Sequence, residues 1–267
     1  MNSQADAKLK GLEEKFRSRV LTPFEQLSVL AETTSMATTS ERAVMQLRLA
    51  NPGQLAAHTP RPAAPSDSLA SAQMHQTVLN NAAAGLGLEG KRMKMIELYY
   101  FLAGKLGFEE MTPPADMPAR ATIEFAPHDA ARVLCDGDRL ELVLNIREVA
   151  RGRDKIQNFQ VHATFRPKID GLDVRLVREG VLHFKGRRLK AGPRVVLHSV
   201  FGKLLRKGQE VVLIQAGSVK DPRLTGLMIT QVVIDHGWIA VALGPEYANR
   251  MAWRSLGTDN WESQLVR

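Results

Sequence analysis

The 267-residue chain holds a single cysteine, Cys135. One thiol allows neither an intramolecular disulfide nor a thiolate metal cluster, so cysteine usage does not reveal a redox compartment. Cys135 ends an apolar, strand-like run and reads as a buried, inert thiol rather than a nucleophile. Aromatic residues make up only 6% of the chain, too few to form platforms on which bases or sugars stack. No stretch approaches the roughly 20 apolar residues needed to span a bilayer. The first residues, MNSQADAKLKGLEEKF, lack the apolar core and cleavage site of a signal peptide. The chain is therefore expected in the cytoplasm if Met1 is its native start, and in the cell envelope if it is a fragment of a longer precursor. There is no Gly-rich phosphate loop, no His-Glu-x-x-His zinc helix and no nucleophile elbow. Seven histidines are scattered, none at helical metal-ligand spacing. No catalytic residue, metal or cofactor is assigned, and the chain is read as non-enzymatic.

Apolar residues make up 44% of the chain, enough for a sizeable core. The net charge is +8, which favours acidic partners such as anionic lipid head groups or nucleic acid. The cations concentrate between residues 147 and 207, where Arg147, Arg151, Arg153, Lys155, Lys185, Arg187, Arg188 and Lys203 face few carboxylates. That stretch suits an anionic surface partner, and it equally suits a solubilising face. A lipid head group needs charge only at the rim of a site.

Leu9, Leu12, Phe16, Val20, Phe24, Leu27 and Leu30 recur at helical spacing, which predicts an amphipathic helix over 4–32, interrupted at Pro23. It belongs to an N-terminal arm, 1–50, suited to docking a protein partner. Residues 33–40 read as a loop, and Met45, Leu47 and Leu49 alternate as a short strand. Residues 51–67 carry Pro52, Pro60, Pro62 and Pro65 and form a linker. An α+β domain is expected over 68–244, followed by a loose tail, 245–267. Its helices are predicted over 68–84, 93–106 and 193–207.

Strand alternation dominates after Arg120. The runs are 122–126, 131–135, 140–149, 159–166, 172–176 and 181–184, with turn signals at Asp136-Gly137-Asp138 and Asp170-Gly171 and a bulge marked by Gly180. One apolar and one polar face suit a curved antiparallel sheet with helices packed on one side. Residues 227–243 form a hairpin about Asp235-His236-Gly237, predicted as the closing edge of that sheet. The Asp235-His236 pair reads as turn residues rather than a dyad. His162 and His183 are placed on neighbouring strands, on a solvated face rather than as a metal pair.

The segments HTPRPAAPSDSLAS (58–71), MHQTVLN (74–80), Ile229 to Val233 and DHGWIAVAL (235–243) occur in that order. In this the chain resembles, over residues 46–245, an uncharacterised family of bacterial proteins, to which no activity is attached. At fold level the layout is similar to the tubular lipid-binding (TULIP-like) superfamily. That resemblance implies a curved sheet wrapped on a long helix, with lipid in the apolar groove between them.

The expected function is a binding module for a lipid or other apolar ligand. Leu142, Leu144, Phe159, Phe165, Leu197, Phe201, Leu204 and Trp238 would line the groove, with Arg187, Arg188 and Lys203 at its rim. The lining set equally describes a plain core. The alternatives are an assembly module docking through residues 4–32, or nucleic-acid binding through the basic region.

Overall fold

The computed structural model describes residues 31–38, 43–63, 68–106, 113, 115, 117–118, 120–187, 189–208, 210–215 and 225–245. The helix expected over 4–30 and the tail after 245 lie outside them. The fold is α+β and mainly antiparallel.

Its centre is a meander. β6 (Ala131–Asp136), β7 (Arg139–Arg151), β8 (Asp154–Asp170) and β9 (Asp173–Lys185) follow one another through tight turns. The expected signals Asp136-Gly137-Asp138 and Asp170-Gly171 sit at the first and third of these turns, and Gly152-Arg153 makes the second. Gly137 and Asp138 both have positive φ, 56° and 59°, as a type I′ hairpin requires. β10 (Glu210–Gln215) pairs with the start of β9, and β5 (Thr122–Phe125) with the end of β7. β4 (Arg92–Lys94) adds to β5. The order is β10-β9-β8-β7-β5-β4, with β6 beside β7. Bulges interrupt the register, one of them at Gly180, φ 69°, where β9 slips against β8. The result is a curled half-barrel.

Two helices fill its apolar side. α2 (Met95–Leu106) contributes Met95 and Leu98, and α3 (Ala191–Leu204) contributes Leu197, Val200, Phe201 and Leu204, all buried with Ile123, Phe125, Ile146, Val149 and Phe159. Arg178 closes the far end of α3. Its buried guanidinium donates to the Leu205 carbonyl at 3.1 Å, to the Glu179 carbonyl at 3.0 Å and to the Gly180 carbonyl. Three acceptors satisfy a charge whose burial would otherwise be costly, and burial itself lowers its proton affinity.

α1 (Gln76–Gly85) does not share that face. It covers the free edge of β6, where Asn80 both accepts from the Val133 amide (2.7 Å) and donates to its carbonyl (3.1 Å). Gln76 accepts from the Cys135 amide at 2.9 Å. Two side chains thus supply what a further strand would have supplied.

Four expectations are corrected. The helix over 4–32 does not include its last residues, because Ala31–Thr38 is a strand, β1. The predicted loop over 33–40 is therefore mostly strand as well, pairing with β2 (Ala43–Leu49). The helix expected from residue 68 begins only at Gln76. Its first half is β3 (Ala70–His75), drawn into strand geometry by pairing with β12 (Trp238–Pro245). The closing hairpin, β11 (Leu227–Asp235) with β12, does not extend the large sheet. It joins β3 in a separate sheet ordered β11-β12-β3. That sheet fastens to the turn ends of the large one, where the Asp138 amide meets the Ile234 carbonyl and the Ile229 amide meets the Gly171 carbonyl. The turn at its tip is as expected, with His236 and Gly237 at φ 48° and 85°.

Candidate functional site

β5 and β6 both pair with β7, and the chain between them loops outward at Asn145. The Ala126 amide donates to the Asn145 carbonyl, and the Asn145 amide donates to the Ala130 carbonyl. The excursion Pro127–Asp129 forms one wall of a cleft. Opposite it β7 and β8 keep one register through Ile146–Phe159 and Glu148–Gln157 but are not paired at the position between, where Asn158 has φ 54°. The end of β9 forms the other wall. There Gly186 lies so close to β8 that an added Cβ would meet the Phe159 Cβ at 3.0 Å and the Asn158 carbonyl at 3.1 Å.

The open cleft has a volume of about 1040 Å³, within the range of small-molecule sites. Arg132, Arg147, Lys185, Arg187 and His128 line it, with Asp129 as the one carboxylate. Arg147 is tied to Glu124 at 3.2 Å. Among the described residues Arg132, Lys185 and Arg187 have no acidic partner. Elsewhere in the basic stretch Arg166 pairs with Glu179 at 3.2 Å, and Arg175 and Lys168 pair with Glu210 at 2.8 and 3.6 Å. Beside the cleft, Glu148 gathers Arg92, Lys155 and a hydrogen bond from Gln157, which together hold its carboxyl below the usual range. Arg132, Lys185 and Arg187 thus bring positive charge with no acidic partner among the described residues to a concave surface.

Two amides form the floor. Gln160 Nε2 donates to Asn145 Oδ1 at 2.9 Å, and Asn145 Nδ2 donates to the Asp129 carbonyl. Behind them His162, 5% exposed, faces Gln160 Oε1 with Nε2 and Glu141 with Nδ1, at 3.3 and 2.9 Å. His162 and His183 are register partners on β8 and β9, as expected, but only His162 is buried. No group of three metal-ligating side chains is present among the described residues.

The expected groove residues divide. Leu144, Phe159, Phe165, Leu197, Phe201 and Leu204 are all in the main buried cluster, with half-buried Leu142 packed against it. The Phe201 ring stands 6.1 Å from both Phe159 and Phe184, so aromatic rings occupy the space between sheet and helix. Arg187 is in the basic cleft, and Lys203 is half-buried in the last turn of α3. Arg188 lies outside the described residues. Trp238 is elsewhere, 5.1 Å from the buried His75 ring, with its indole N–H on Thr59 Oγ1 at 3.0 Å. That contact pins the proline-rich segment to the body, as do the Asn81 bonds to Leu49 and Leu55 carbonyls. Cys135 is buried, and desolvation pushes its thiol up to about 12, which keeps it unreactive.

Arg132, Asn145, Asn158, Gln160 and Lys185 were not anticipated as a site. Asn145 and Gln160 are each visible as polar alternations, but only the β7–β8 register brings them opposite one another. No helix among the described residues is long and apolar enough to cross a membrane. No model of a known protein family matches the chain, and no curated protein matches it.

Proposed function

We propose that the protein is a binding module whose ligand carries an anionic, phosphate-type group seated in the cleft between residues 126–132, 145–147, 158–160 and 185–187. The observation that carries this reading is the cluster of Arg132, Lys185 and Arg187, uncompensated among the described residues, around a concave surface. Such a group comes from an anionic lipid head group or from a soluble phosphate ester. In the lipid case the packed rings of Phe159, Phe184 and Phe201 favour acyl chains that stay in the bilayer rather than between sheet and α3. The cleft has no tryptophan or tyrosine in its lining and its one phenylalanine, Phe159, is 4% exposed, which leaves a base little to stack on and disfavours single-stranded nucleic acid.

The test is the variant Arg132→Gln/Lys185→Gln/Arg187→Gln. Binding to glycerol 3-phosphate is measured by calorimetry, and binding to phosphatidylcholine vesicles with and without phosphatidic acid by sedimentation. Exposed charges contribute up to about 1 kcal/mol each, so affinity should fall roughly 10- to 100-fold. Wild-type binding that is equal with and without anionic lipid, and absent for the soluble ester, would refute the proposal.

A second reading has its own observation. The β1–β2 hairpin pairs with no third strand among the described residues. An isolated two-stranded hairpin is marginal in water, which favours a protein partner for the N-terminal arm. Removal of residues 1–50 should then lower the molecular mass of the assembly by more than the deleted residues. An unchanged subunit count would dismiss it.

A further inference from the structure

The floor of the same cleft has a polarity of its own, and the inference drawn from it rests on the anion-binding reading above. A backbone carbonyl can only accept, so the Asp129 carbonyl fixes Asn145 with Nδ2 toward it and Oδ1 away. Asn145 Oδ1 in turn takes its hydrogen from Gln160 Nε2 at 2.9 Å. Gln160 Oε1 is thereby turned toward His162 Nε2 at 3.3 Å, and His162 is held from behind by Glu141. Reversing Asn145 would set its Oδ1 against the Asp129 carbonyl, and reversing Gln160 would set its Oε1 against Asn145 Oδ1, two acceptors in contact in each case. The chain therefore has one sense along its whole length. Each amide nitrogen keeps a second hydrogen that the chain does not use, and Asn145 Oδ1 is already engaged by Gln160.

We propose that Asn145 and Gln160 make the cleft floor a donor surface that selects a phosphate monoester over planar carboxylates and over ligands that bring donors. Arg132, Lys185 and Arg187 add N–H groups at the rim and carry no acceptor. A phosphate monoester presents three terminal oxygens and close to two negative charges, matching two floor donors and several rim donors at once. A carboxylate has two oxygens in one plane and a single charge. An amine meets mostly like charge, with Asp129 the one carboxylate in the lining. Asn145 and Gln160 discriminate, and His162 is a positioning residue that acts through Gln160.

The decisive variant is Gln160→Met, which keeps the length of the side chain and its neutrality but removes the donor. Full-length wild type should bind glycerol 3-phosphate in preference to acetate. Gln160→Met should lose about tenfold in affinity for the phosphate and little for acetate, with an unaltered salt dependence. Asn145→Ser, which keeps a polar group at the floor, gives an independent reading if the first variant melts early. Vesicles containing phosphatidic acid, with its phosphate monoester head group, should retain wild type better than vesicles containing phosphatidylserine at equal charge. Retention on the vesicles without binding of glycerol 3-phosphate assigns the monoester to a lipid, and the converse assigns it to a soluble ester. If both floor variants bind phosphate as wild type does, while Arg132→Gln/Lys185→Gln/Arg187→Gln loses it, the donor floor is refuted and the anion cleft stands. If the rim variant also binds normally, both fall.

Discussion

Replacing Gly237 by alanine tests how the two sheets are joined. Gly237 has φ 85°, and a Cβ there would lie 2.8 Å from His75 Nε2. Its amide donates to the Cys135 carbonyl at 2.8 Å and its carbonyl accepts from the Gln76 amide at 2.7 Å, so the backbone is held on both sides. The left-handed conformation alone costs an L residue about 1–2 kcal/mol. The overlap must also displace the His75 ring. That ring caps α1 by accepting from the Thr77 amide at 3.3 Å and bonds Thr59 Oγ1 at 3.1 Å. Loss of a cap or a buried hydrogen bond adds about 1 kcal/mol. The total is about 3 kcal/mol, a fall in melting temperature of roughly 6–12 °C for a chain of this size. Thermal melts followed by circular dichroism measure it, with urea titration as the check. Repeating the substitution in a His75→Ala background removes the overlap and leaves only the backbone cost. A fall below about 2 °C, or strictly additive effects of the two substitutions, would refute the contact argument.

Two further outcomes follow from buried polar groups. Arg178→Met should destabilise the protein by about 2–3 kcal/mol in urea titration, because three carbonyls at the end of α3 and in the β9 bulge lose their donor; an unchanged midpoint would show that water replaces the guanidinium. Burial, then the neighbouring His58, lowers the proton affinity of His75. The unfolded chain therefore binds a proton there first as pH falls below about 6.5, and stability should drop in that window and level off below the folded-state value. His75→Asn keeps a capping side chain without the titration, so its melting temperature should fall less between pH 7 and pH 5; parallel curves would dismiss His75 as a source.

Much of the large sheet is legible along the chain. In β7, Leu140, Leu142, Leu144 and Ile146 alternate with polar residues because one face must be buried, and the Asp-Gly pairs mark turns because few residues tolerate positive φ. α3 is legible for the same kind of reason, through the spacing of Leu197, Val200, Phe201 and Leu204. β3 is not. Ala70 to His75 carries no strand propensity strong enough to outweigh a helical reading, and its geometry comes from β12, more than 160 residues away. β4, three residues long, is equally silent and exists by pairing with β5, whereas β10 carries the run Val211–Ile214, rich in β-branched residues, and pairs with β9.

The cleft shows the same division at the level of function. The sequence by itself determined that the chain is basic, poor in aromatics and built on alternating strands. Which cations matter is a matter of long-range pairing. Glu179, Glu210 and Glu124 neutralise some of the basic residues and leave Arg132, Lys185 and Arg187 without a partner among the described residues. The floor is likewise a product of register, since Asn145 and Gln160 meet only because β7 and β8 align those two positions. Side-chain alternation is a local property with a period of two residues, and charge compensation across strands is not; only the tertiary structure could decide where the charge stays free.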